Sequence, residues 1–82
     1  MPKYTDADLA VIRLLRQQMG EPWETAKAAI IDQLPPGIDS DILGKFVDDS
    51  ERPSIHINAY GVEPRFYAHR TSRRLLEFYP SK

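Results

Sequence analysis

Cysteine is absent from the 82 residues, which excludes disulfides, thiolate zinc sites and a thiol nucleophile. No apolar run approaches the roughly 20 residues that cross a bilayer, and the opening MPKYTDADLA lacks the apolar stretch of a signal peptide. The expectation is a cytosolic protein with no membrane partner. The chain also contains no Gly-x-Ser-x-Gly, phosphate-loop or His-Glu-x-x-His pattern. A chain of this length has little room for both a core and a deep pocket, so the reading is non-enzymatic, with no small-molecule cofactor.

Apolar residues make up 41% of the chain and charged residues 28%. That mixture is too apolar for wholesale disorder and fits one compact domain over residues 1–82. The net charge of −1 hides a strong segregation. Residues 1–51 carry five basic and ten acidic side chains, a net −5; residues 52–82 carry six basic and two acidic, a net +4. The basic half is concentrated in Arg65–Arg74, RFYAHRTSRR, where four arginines are interleaved with two aromatics and a histidine. Acidic helices and a basic segment at domain dimensions attract each other within the fold, or steer a charged partner.

Helical periodicity runs through the first half. Thr5 followed by Asp8 has the form of a capping box. Leu9, Ile12, Leu15 and Met19 then recur at three- and four-residue spacing, and Gly20 supplies a C-cap. Pro22 suits the first turn of a second helix, whose stripe is Trp23, Ala26, Ile30 and Leu34, thickened by Ala29 and Ile31. Trp23 reads as a core anchor. Pro35-Pro36-Gly37 ends this helix. Asp39 or Ser40 caps a third, shorter one that turns Ile42, Leu43, Phe46 and Val47 inward.

After Pro53 the period changes to two. Ile55, Ile57 and Ala59 alternate with His56, Asn58 and Tyr60; Phe66 and Ala68 alternate with Arg65, Tyr67 and His69. The expectation is a β-hairpin of these two runs turning at residues 61–64. Parity forces opposed residues to have an odd sum, and a sum of 125 puts His56 opposite His69, Asn58 opposite Tyr67 and Tyr60 opposite Arg65. Residues 72–79 fit either a short helix or a third strand. The fold class expected is α+β, three N-terminal helices packed on a C-terminal hairpin.

The outer hairpin face is rich in tyrosine, arginine and histidine, types that combine apolar area with directional hydrogen bonding. The partner-binding residues expected are His56, Tyr60, Arg65, Tyr67 and His69, with Arg70, Arg73 and Arg74 extending the patch. Tyrosines would anchor and arginines would pair with carboxylates of a protein partner or of a second copy. Nucleic-acid binding by the same hairpin is the alternative, with arginines on phosphates and tyrosines on unpaired bases. A helix-turn-helix mode fits poorly, because a recognition helix bordered by Asp39, Asp41, Asp48 and Asp49 would be repelled by DNA. His56 and His69 lack an evident third ligand, so no metal site is expected. Asp48 and Asp49, adjacent on a helix, would point about 100° apart and share no site.

Overall fold

The computed structural model describes residues 4–49 and 65–78. Within them the chain forms α1 (Asp6–Gln17), α2 (Trp23–Gln33), a 3₁₀ helix (Ser40–Lys45), and strands β1 (Val47–Asp48), β2 (Arg65–Ala68) and β3 (Leu75–Phe78). This is an α+β arrangement, with a three-stranded sheet in the order β1-β2-β3. Among the described residues no helix is long and apolar enough to cross a membrane.

The start of α1 is the expected capping box. The Thr5 hydroxyl accepts from the Asp8 N–H at 3.0 Å, and the Asp8 carboxylate accepts from the Thr5 N–H at 3.1 Å. That reciprocity turns Asp8 inward and corrects the expected stripe. The buried positions are Asp8, Val11, Ile12 and Leu15, while Leu9 is 47% and Met19 37% exposed. The i, i+3, i+4, i+7 pattern holds, rotated by about one position, because the capping carboxylate occupies the first slot. Met19 lies beyond the helix, which ends at Gln17; Gly20 follows in the turn at φ +86°.

In α2, Trp23, Ala26 and Ile30 are buried as expected, whereas Ile31 is 41% exposed. The third helix is a 3₁₀ segment capped by Asp39, whose carboxylate accepts from the Asp41 N–H at 2.8 Å. Six residues give little intrinsic stability. Its anchors are Leu43 in the core and Ile42 packed against it, and the chain leaves it through the buried Phe46 into β1.

Residues 75–78 are a strand, which resolves the ambiguity at the C-terminal end. A tight connection from His69 to Arg74 precedes it, with Arg73 in the left-handed region at φ 57°. The His69 N–H donates to the Arg74 carbonyl at 2.9 Å, and the Arg73 N–H donates to the His69 carbonyl. A left-handed residue reverses the chain and interrupts any helix starting at Ser72. The outer edge of β3 is then held by the α1–α2 connection. The Gly20 N–H donates to the Leu75 carbonyl at 2.7 Å, the Leu75 N–H to the Glu21 carbonyl at 2.9 Å, and the Trp23 N–H to the Arg73 carbonyl at 2.6 Å.

The antiparallel partner of β2 is β3, in the register Arg65–Phe78, Phe66–Glu77, Tyr67–Leu76 and Ala68–Leu75. Along its other edge runs β1, parallel, with Val47 beside Phe66 and Asp48 beside Tyr67. The sheet neighbours of Tyr67 are therefore Asp48 and Leu76, which corrects the expected opposition of Asn58. The expected first hairpin strand, 55–60, lies outside the described residues, as do His56 and Tyr60.

Directly opposed residues share a face. Phe66, Ala68 and Leu75 are fully buried and join Val11, Leu15, Trp23, Ala26, Ile30 and Phe46 in one core cluster. One face of the sheet therefore lies against the helices. Each of the valine, leucine, isoleucine and phenylalanine side chains contributes about 1.5–3 kcal/mol on burial.

Candidate interaction surface

Alternation sends the remaining strand residues to the opposite face. On β2 these are Arg65 and Tyr67, on β3 Leu76 and Phe78, and on β1 Asp48. All five are half-buried. Tyr67, Leu76 and Phe78 are not among the partly buried apolar residues that pack against the core, namely Tyr4, Leu14, Leu34, Ile42 and Val47. The result is a row of Asp48, Tyr67 and Leu76 beside a pair of Arg65 and Phe78, which joins aromatic and aliphatic area to one charge of each sign.

His69 continues this side of β2. Its ring lies 6.3 Å from that of Tyr67, tilted by 41°. Its Nδ1 accepts from the Thr71 N–H at 3.1 Å and the Ser72 N–H at 3.3 Å. An accepting Nδ1 places the proton of the neutral ring on Nε2. The imidazole thus organises the turn as an aspartate or asparagine side chain does in other turns.

The three arginines of the turn separate in role. The Arg74 guanidinium donates through Nη1 to the Gly20 carbonyl at 2.7 Å. Arg73 donates through Nη1 to the Asp49 carbonyl at 3.2 Å. Arg74 thereby fastens the hairpin to the α1–α2 connection, and Arg73 fastens it to the residue after β1. Arg70 is exposed and makes no such contact among the described residues.

Ion pairs at Glu77 and at Lys45 link the layers on which this face rests. Glu77 is opposite Phe66, so its side chain lies on the helix-facing side, where it is only 5% exposed; its Oε2 meets Arg16 Nη2 of α1 at 3.1 Å. Lys45 Nζ, at the end of the 3₁₀ helix, reaches Asp8 Oδ1 at 3.3 Å. Burial pushes the Asp8 carboxyl up. The hydrogen bond from the Thr5 backbone, the Lys45 ammonium and the Thr5 hydroxyl outweigh it and hold the group below the usual aspartate value.

Of the residues expected from sequence, the structure brings together Arg65, Tyr67 and His69 on one face and sets Arg70, Arg73 and Arg74 in the adjoining turn. Asp48, Leu76 and Phe78 were not anticipated on this surface. The signal for the last two was present in the sequence: if 75–78 is read as a strand, its alternation sends Leu76 and Phe78 to one face. Among the described residues no group of three or more acidic or histidine side chains is placed to hold a metal ion. Compared with protein-family models, curated proteins and solved structures, the chain matches none of them.

Proposed function

We propose that this chain is a protein-interaction domain that binds a polypeptide partner through the outer face of its sheet. The observation that carries the reading is the register. Pairing Tyr67 with Leu76 and Arg65 with Phe78 collects two aromatics, one aliphatic side chain and a guanidinium on the side away from the core. Tyrosine, phenylalanine and arginine are enriched at protein interfaces, the aromatics because they offer large area with few rotatable bonds and arginine because its planar guanidinium stacks and donates several hydrogen bonds. Tyr67 and Phe78 act as anchors, Leu76 fills the space between them, and the exposed Arg70 at the rim attracts partner carboxylates.

Nucleic-acid binding would depend on the turn arginines. Arg73 and Arg74 already donate to the Asp49 and Gly20 carbonyls, which favours a polypeptide over a phosphate backbone as the partner. Site-specific photo-crosslinking tests the proposal. A photoreactive residue at Leu76 is expected to form an adduct with one polypeptide, whether a foreign partner or a second copy. The same residue at exposed Ala28 on α2 should not. Adducts formed equally from both positions, or only to nucleic acid, would overturn the reading.

A further inference from the structure

A cleft of about 260 Å³ opens on the helix-facing side of the sheet, between the start of α2, the 3₁₀ helix and β1. It is separate from the outer face, because Val47, which lines it, shares its side of the sheet with Phe66. Trp23, Leu43 and Val47 provide apolar wall, while Asp41, Asp49 and Lys27 supply the charges. Asp49 is held in place: its Oδ2 accepts from the Trp23 indole N–H at 3.2 Å, and its carbonyl accepts from Arg73. Among the described residues neither the Asp41 carboxylate nor the Lys27 ammonium has an ion-pair partner. Gly44 also lines the cleft, and a Cβ built there meets nothing within 4 Å.

We propose that this cleft receives a basic side chain, an alkyl guanidinium or alkyl ammonium group. Its volume falls below the roughly 300–1,000 Å³ of pockets for drug-sized ligands, so a single side chain is the right scale. Among the described residues, two carboxylates against one ammonium leave the rim net negative, which favours a cation and opposes an anion. The apolar wall suits the methylene stem that arginine and lysine lay along such surfaces. A planar guanidinium bridging Asp41 and the second carboxylate oxygen of Asp49 would form charge-assisted hydrogen bonds to both.

Trp23 is the single tryptophan of the chain, so its emission and its indole N–H resonance report on the cleft. The probe is N-acetylarginine methylamide, compared with its neutral norleucine and anionic glutamate counterparts. Saturable change in both signals at about millimolar concentration is expected for the arginine probe alone. Asp41→Asn should weaken it about tenfold through loss of one charge-assisted bond. Gly44→Leu should abolish it while leaving the thermal midpoint in place, since the new side chain grows into open space. A Gly-Gly-Arg-Gly-Gly peptide separates the sources: tighter binding than the amide assigns the group to a polypeptide, equal binding to any small cation. Equal response to the norleucine or glutamate probe, no response to arginine, or binding untouched in Gly44→Leu would overturn the proposal.

Discussion

Asp8 joins the first turn of α1 to the end of the 3₁₀ helix, and its replacement by alanine gives a prediction with a worked magnitude. The side chain is 4% exposed and does two jobs, closing the capping box on Thr5 and pairing with Lys45. Loss of a capping interaction costs about 1 kcal/mol. The Lys45 side chain is 38% exposed, so solvent screens the pair and its loss adds only about 0.5 kcal/mol. Together, about 1.5 kcal/mol corresponds to roughly 6–12 °C in the thermal midpoint of a domain this size.

The pH dependence has a definite sign. The folded carboxyl sits below its unfolded value of about 3.9, so its contribution is fully present above that value and is lost as pH falls through the folded one. Urea titrations of wild type and Asp8→Ala should therefore differ most at neutral pH, and the difference should narrow as pH falls below about 4. Adding Lys45→Met to both chains isolates the pair. A stability difference that is independent of pH, or no larger than that of exposed Asp6→Ala, would refute the reasoning.

Other substitutions probe the rest of the framework. Phe66→Ala, at the centre of β2, should cost about 3–5 kcal/mol by urea denaturation, and a cost below about 1 kcal/mol would contradict the core assignment. Glu77→Leu should be close to neutral, because Arg16 is 55% exposed and returns to water while the leucine packs on the face of Phe66; a loss above about 2 kcal/mol would contradict this. His69→Ala should speed amide exchange at Thr71 and Ser72, and His69→Asn, which keeps a side-chain acceptor, should largely restore protection. Identical exchange in all three chains would remove His69 from the turn.

Local signals made the helical layer legible. Thr5 and Asp8 declared their box three residues apart, and Asp39 announced a cap that the structure shows. What the capping pattern did not convey is that a capping carboxylate can itself be buried, which turned Leu9 outward. The alternation of Arg65, Phe66, Tyr67 and Ala68 gave the correct inner and outer residues of β2. Its neighbours were not legible, because strand pairing is a non-local choice among edges. The α1–α2 connection holds Leu75 at one side of β3, an influence separated from it by more than fifty residues. Val47–Asp48 is too short for any periodicity, and it pairs in parallel across a long sequence interval.

The outer sheet face is tested most directly by the dissociation constant of the crosslinked partner for wild type and for Tyr67→Ala/Leu76→Ser. Loss of two central anchors should cost at least about 2 kcal/mol, or roughly thirtyfold in affinity, with the thermal midpoint shifted by only a few degrees because neither side chain belongs to the core. An unchanged dissociation constant in a folded double variant would contradict the account.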